Sequence, residues 1–396
     1  MGFHSSKNRY FQILQYILGM GILIFILVVL FLCYAVLILF YRSGWMHLNE
    51  FLLNKGYEPK TKVSIIIPAR NEDQYIGQLL SDILKQYYPS NLMEIIVVDD
   101  HSTDRTRDIV SSFEQVKYID LSLHTGSQIL NSYKKKAIET AILQSSGQLI
   151  ITTDADCRMG AYWLLSLVSY YEMYKYKFIA APVDFSSDRS LFQSFQSLDF
   201  MSMQGITGAV AYTRSGTMCN GANLAYTRQA FDAVGGFSGI DHIASGDDML
   251  LMYKIEQRFP NKTGYIKCKE AIVTTAPMPD AASFFNQRIR WASKATHFKD
   301  KRIIAVLALV YFYNLTFVVL LLVGVFKPSL WLVLVVALLA KIVLELSILK
   351  PVSRFFKKEN ELFWFPILQC IHIPYIVLSG FLGQFGTYQW KQRSVK

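Results

Sequence analysis

Hydrophobic positions fall into two regimes along the chain: long uncharged blocks towards the ends and short apolar runs in the middle. No Asp, Glu, Lys or Arg occurs between Arg9 and Arg42, between Arg302 and Lys327, or between Glu361 and Lys391. A helix needs about 20 apolar residues to cross a bilayer, and each block exceeds that. A further block, 329–349, is apolar except for Lys341 and Glu345, which stand four apart and can pair on one helix face. Unpaired, such charges within a membrane would mark function. The first block is too long for a signal-peptide core and lacks a small-residue cleavage site, which predicts a retained anchor. The last carries Pro366, Pro374, Gly380, Gly383 and Gly386, and is expected to be broken or re-entrant.

Between the blocks, β-rich runs at 63–68, 94–98, 149–153, 177–181 and 271–275 alternate with helical patterns at 73–87, 103–113 and 133–144. Strands apolar on both faces and separated by helices predict an α/β domain with an open, mostly parallel sheet. Ligands in such sheets bind beyond the carboxyl ends of the strands. Three zones follow: an anchor and linker over 1–59, a mixed α/β domain over 60–299 ending in an interfacial amphipathic helix, and a membrane bundle over 300–396.

Charge changes the picture in one respect. The formal net charge of +10 would suit nucleic acid, but the basic residues gather beside the apolar blocks. Lys294, Lys299, Lys301 and Arg302 precede one block, and Lys350, Arg354, Lys357 and Lys358 follow another. Such clusters mark the cytoplasmic side and attract anionic lipid, so the expectation is an integral plasma-membrane protein with a cytosolic middle domain and no nucleic-acid partner. The amino terminus then lies outside, against the mild opposite bias of Lys7 and Arg9. The five cysteines lack CxxC spacing, which argues against a disulfide framework or a zinc site.

Candidate chemistry lies where the runs end. The first is followed by Ala69-Arg70-Asn71-Glu72, the second by Asp99-Asp100-His101-Ser102. Asp99 or Asp100 can accept hydrogen bonds from a nucleobase or ribose; the plainer reading makes Asn71, Ser102 and Asp104 helix caps. The third run ends in Asp154-Ala155-Asp156, two carboxylates suited to Mg²⁺ or Mn²⁺ shared with a diphosphate. Asp247-Asp248 opens a helix: one of the two can be a general base, its pKa raised by its neighbour, or both can serve the helix dipole. In Gln287-Arg288-Ile289-Arg290-Trp291, Arg290 can fork onto a diphosphate and Trp291 can face a sugar, or the group can be an interfacial anchor.

In this order and spacing, the four stations resemble the family 2 glycosyltransferases of GT-A fold. The likeness extends to the membrane branch with hyaluronan, cellulose and poly-N-acetylglucosamine synthases and ceramide glucosyltransferase. The resemblance implies an inverting, metal-dependent transfer of a hexosyl unit from a nucleotide-diphospho-sugar, a UDP-sugar by preference, to a lipid-linked or growing polysaccharide hydroxyl. It implies that Ala69, Glu72, Asp99, Asp100 and Asp154 hold the nucleotide-sugar, that Lys136 faces nucleotide or phosphate, and that Asp156, with Asp154, binds the metal. Asp248 becomes the base beside Asp247, and Gln287, Arg290 and Trp291 the diphosphate and acceptor motif. Two departures stand out: Asp247 replaces the usual Glu, and the Lys134–Lys136 run lacks the usual Gly. Cys219-Asn220-Gly221-Ala222-Asn223 resembles the acceptor-lining segment, with Gly221 permitting close backbone approach and Cys219 packed rather than reactive. Polymer synthesis and single addition both remain open, although no polar translocation path is evident. The competing class is a catalytically silent membrane scaffold; too few spans argue against a transporter.

Overall fold

In a computed structural model, residues 3–126, 130–186, 190–294, 300–385, 388–390 and 393–395 are described, with side chains over 19–384 of these. Lys299, Gly386 and Lys391, noted above, lie outside the described residues.

The chain opens with helix α1 (Phe3–His47) and enters the middle domain through β1 (Val63–Ala69), α2 (Ile76–Leu84), β2 (Met93–Asp99), α3 (Thr106–Ser111) and β3 (Val116–Asp120). There follow α4 (Ser122–Thr125), α5 (Tyr133–Leu143), β4 (Leu149–Thr152), β5 (Arg158–Met159) and α6 (Trp163–Tyr174). Then come β6 (Phe178–Ala180), β7 (Val183–Phe185), α7 (Leu191–Thr213), β8 (Leu224–Thr227) and α8 (Arg228–Ala233). The domain closes with α9 (Met249–Arg258), β9 (Thr263–Tyr265), β10 (Val273–Thr275) and α10 (Ala281–Ser293). Helices α11 (Lys301–Phe326), α12 (Leu330–Phe356) and α13 (Phe365–Phe385) precede a terminal hairpin of β11 (Tyr388–Trp390) and β12 (Arg393–Val395).

The main sheet has the order β3-β2-β1-β4-β8-β6-β9. Strands β3, β2, β1 and β4 are parallel, while β8 runs against both β4 and β6. The expected mixed α/β architecture is therefore present, with β8 as an antiparallel insertion that the apolar runs did not announce. Ile65, Ile66 and Ile67 in β1 are fully buried, each side chain contributing about 1.5–3 kcal/mol as an upper figure. Ile65 and Ile67 pack on the face covered by α2 and α6, and Ile66 on the opposite face. That second core continues without a break into the end helices.

Four helices are long and apolar enough to cross a membrane: Gly19–His47, Lys301–Phe326, Leu330–Phe356 and Phe365–Gln384. Exposed Phe25, Val36, Leu322, Leu332 and Val343 give them an apolar outer surface. The middle domain is packed against their ends. Trp45 is buried against Tyr265 and Phe355, and Lys267 Nζ donates to the Trp45 and Leu48 carbonyls at 3.0 Å, capping α1 with a cation. Lys358, just past α12, donates to Asp184 Oδ1 at 2.7 Å and to the Phe185 carbonyl at 2.6 Å. Lys341 and Glu345 pair at 2.6 Å, as their spacing predicted.

Candidate active site

The loops after β1 and β2 are clasped to each other. Asn71 and His101 adopt left-handed backbone (φ 52° and 57°). Ser102 Oγ accepts from the Asn71 amide at 2.9 Å, and Asn71 Oδ1 accepts from the Thr103 amide at 2.8 Å. Asp104 takes the Asp73 and Thr106 amides, each at 3.0 Å. Asn71 and Ser102 thus lock the two loops together rather than capping helices, while Asp104 does both, reaching across to the Asp73 amide and capping the start of α3 through Thr106. The clasp holds Ala69, Glu72 and Asp100 on the wall of a cavity of about 1150 Å³ at the carboxyl edge of the sheet.

Asp99 departs from expectation. It is buried and does not line the cavity: its oxygens accept from the Ser102 amide and the Tyr118 hydroxyl, both at 2.9 Å. Alternation along β2 explains this, since Asp99 and Asp100 take opposite directions as the strand ends. Lys136 departs too. It lies outside the cavity lining and pairs with Glu139 at 3.1 Å. Two helical residues rotate a side chain by about 200°, so Lys134 takes the inward position instead. Its Nζ sits 2.6 Å from Asp154 Oδ1 and 3.2 Å from Asp247 Oδ2. Burial opposes the charge, but Asp154 and Asp247 outweigh it and push the Lys134 pKa up.

Lys134 therefore joins the end of β4 to the start of α9. Asp156, beside this junction, accepts from the Thr275 hydroxyl at 2.9 Å, fastening β4 to β10. Asp248 caps α9, accepting from the Met249 amide at 2.7 Å, and pairs with Lys294 at 3.5 Å. Asp247 does not follow the like-charge expectation. Burial raises its pKa, but Lys134, Lys294 and Lys135 hold it below the usual carboxylate value. Gly246 turns the chain into this pair at φ +82°, a conformation that favours glycine. A Cβ at Gly221 would lie 3.2 Å from both Asp247 Oδ2 and Lys134 Nζ, so the Cys219–Asn223 backbone does approach closely. Cys219 is packed, and burial drives its thiol pKa well up.

Helix α10 brings Gln287, Arg290 and Trp291 to the same cavity. Its phase is fixed by Arg288, which sequence reasoning passed over. That guanidinium is buried, donates to Asp199 Oδ2 at 2.6 and 3.0 Å, and lies 4.2 Å from the Trp291 ring centroid. Asp199 Oδ1 also accepts from Tyr375 at 2.8 Å, so α7, α10 and α13 meet at one carboxylate. Lys135 was missed as well. It is buried and donates to the Ile240, Ile243 and Ser245 carbonyls at 2.7, 2.6 and 2.8 Å, holding the loop that carries the Asp247-Asp248 pair. A lysine beside a motif lysine was the only sequence signal for it.

Residues 64–235 match the profile of Glycosyl transferase family 2. Over this segment the chain is similar to that family. The chain is 28% identical over 298 residues to the probable glycosyltransferase YdaM of Bacillus subtilis strain 168, covering 69% of this chain and 67% of that protein. It is 27% identical over 244 residues to the beta-monoglucosyldiacylglycerol synthase of Synechocystis sp. PCC 6803, covering 59% of this chain and 48% of that protein. The chain thus spans about half the length of that second relative. A mannosyltransferase from Pyrobaculum calidifontis, solved with GDP-Man and Mn²⁺, shares the fold: TM-score 0.58 at 16% identity, covering 92% of this chain and 98% of that one. These similarities support transfer of a sugar from a nucleotide-sugar to an acceptor, and the four long apolar helices suit association with a membrane.

Proposed function

We propose that the cavity performs an inverting, single-displacement transfer of a hexosyl unit from a nucleotide-diphospho-sugar, preferably a UDP-sugar, to an acceptor hydroxyl. The observation that carries this reading is the meeting of Asp154, Asp156, Asp248, Arg290 and Trp291 in one cavity, although they come from stations up to 137 residues apart. Glu72 and Asp100 offer acceptors to the nucleoside, and Arg290 offers a planar fork to the diphosphate.

The residues present suit a hard divalent ion. Among the described residues no group of three or more His, Cys, Asp or Glu could form a closed protein cage. Mg²⁺ and Mn²⁺ at phosphoryl sites need only one or two carboxylates, with phosphate and water completing the shell. Asp156 would hold the ion, because Asp154 Oδ1 is already engaged by Lys134. When bound, the ion neutralises charge developing on the departing diphosphate.

The protein's own groups perform the rest. Asp248, oriented by its cap bond to Met249, takes the proton from the acceptor hydroxyl. The acceptor oxygen forms its bond to the anomeric carbon as the bond from that carbon to the diphosphate oxygen breaks. The electron pair leaves with the nucleoside diphosphate, which Arg290 and Lys134 face. One displacement inverts the anomeric centre, and no covalent enzyme adduct is needed.

A cytosolic catalytic face is supported by where the cations lie. Lys301 and Arg302 at the start of α11, and Arg354, Lys357 and Lys358 at the end of α12, sit at the catalytic-domain ends of their helices, as the positive-inside rule requires. The test is a panel of UDP- and GDP-sugars with Mn²⁺ or Mg²⁺. Asp248→Asn should abolish transfer while donor binding stays within about twofold; retained turnover would remove Asp248 from the mechanism.

A further inference from the structure

We infer that the acceptor is a neutral, hydroxyl-headed membrane lipid, glycosylated once, with its hydrocarbon chain lying in an arm of the active-site cavity that runs between the membrane helices. The inference rests on the transfer reading above and names its acceptor. The cavity that holds Asp248 and Arg290 does not stop at the domain boundary. It continues between all four apolar helices, lined there by Ile38 of α1, Val310 of α11, Leu349 of α12 and Leu368 and Ile376 of α13. A purely aqueous acceptor would leave this apolar arm without a use, whereas a lipid tail fills it and places a headgroup hydroxyl at the polar end.

The arm does carry polar groups, and their pairing separates a lipid from a growing glycan. Glu345 Oε1 accepts from Tyr34 at 2.5 Å and from Lys341 at 2.6 Å. Gln369 accepts from Lys341 at 2.8 Å and donates to Glu345 Oε2 at 2.7 Å. These groups satisfy one another and present a closed, charge-neutral wall. A sugar polymer sliding past would need donors and acceptors that are not already spent. Towards the polar end, His372 lines the cavity beside Asp199, and its Nδ1 has no hydrogen-bond partner.

Charge separates a neutral lipid from a lipid phosphate. Apart from Glu345, which Lys341 neutralises, seven carboxylates and six Lys or Arg side chains line the cavity. A donor diphosphate and its divalent ion roughly cancel, so the negative balance persists when they bind. A hydroxyl adds no charge, but a lipid phosphate would bring more negative charge into a partly desolvated site.

The test uses the full-length enzyme in phosphatidylcholine nanodiscs with labelled UDP- and GDP-hexoses. Discs carry dioleoylglycerol or undecaprenyl phosphate, and a third set receives a soluble oligosaccharide. The expected product is a single-sugar adduct of dioleoylglycerol. Label on the lipid phosphate, or in a water-soluble polymer, overturns the inference. A bulky side chain in the arm supplies the second readout. Ile376→Trp should raise KM for the neutral lipid more than tenfold while KM for the donor moves less than twofold; Val310→Trp, on another helix, covers the case of a variant that does not fold. Parallel changes in both constants, or none in the lipid's, would also overturn it. Failure of the transfer reading looks different, because then no nucleotide-sugar binds with Mn²⁺ or Mg²⁺. Donor binding and hydrolysis without a lipid product would sink only the acceptor assignment.

Discussion

Replacing Asp199 by Asn tests whether the carboxylate joining three helices holds the catalytic motif in place. The Asp199 and Arg288 side chains are 5% and 3% exposed, and the pair is closed by two hydrogen bonds and by Tyr375. Burial works against the Asp199 charge, but Arg288 and His372 outweigh it and hold the pKa at about 2, below its ordinary 3.8. At 1.36 kcal/mol per pKa unit this lowering corresponds to about 2 kcal/mol. The sign is that of a depressed acid: the contribution is complete above about pH 4 and disappears as pH falls through 2.

Asn keeps the shape but leaves Arg288 charged, buried and unpaired, which costs about 3–5 kcal/mol. In a detergent-solubilised preparation followed by tryptophan fluorescence, the unfolding midpoint should fall by roughly 5–15 °C. Adding Arg288→Met should recover part of that loss, since no unpaired charge then remains. Activity should fall in Asp199→Asn beyond what stability explains, because Arg288 packs against the Trp291 ring. A midpoint within about 2 °C of wild type, or a double variant no better than the sum of the singles, would refute the reasoning.

Other consequences can be checked separately. Burial pushes the Lys135 pKa down to about 8; below that pH its ammonium serves three carbonyls, and above it a neutral amine has only two N–H groups to offer. An alkaline fall in kcat centred near pH 8 is therefore expected, and Lys135→Met should show low kcat without that limb. This concerns activity and not a loss of stability, because a folded-state pKa below the unfolded value favours folding as pH rises between the two. Asp156→Ala should abolish the enhancement of donor binding by Mn²⁺ in calorimetry while metal-free binding persists; an unaltered metal dependence would point to other ligands. Gly221→Ala should cost about 1–3 kcal/mol of stability and lower turnover, because its Cβ meets Asp247 and Lys134 at 3.2 Å; a silent substitution would show that the loop can retreat.

Legibility in the sequence follows burial and locality. Strands β1, β2 and β4 are buried along most of their length and read as unbroken apolar runs. The helices between them keep one buried stripe, as α2 does with Ile76, Leu79, Leu80 and Ile83. Strand β3 escaped because it is an edge strand, paired only with β2 and partly exposed, with Lys117 interrupting it. Helix α7 escaped for the opposite reason. It is covered on several sides, with Gly205 against Val352 and Gly208 against Trp45, so no single stripe marks it. Strand β8 has four residues, too few for a period to show.

The site divides along the same line. Acidic residues just past buried strands could be placed at the sheet edge from local pattern alone, and Asp100, Asp154 and Asp156 do line the cavity. What pattern could not supply is phase. Choosing Lys136 over Lys134, and setting Asp99 beside Asp100, required the direction of each side chain, which a half-turn of helix or one strand residue reverses. Partnerships across distance were also hidden. Asp199 and Arg288 stand 89 residues apart, and each looks like an ordinary surface charge until α7 and α10 are packed together. The groups that could be read locally are those offered to ligands, whereas the groups that orient them pair with remote parts of the chain. A buried ion pair such as Asp199–Arg288 is costly unless both partners are present and well placed. Although Arg288 also borders the cavity, its two bonds to Asp199 and its packing on the Trp291 ring are the reason to expect positioning from it.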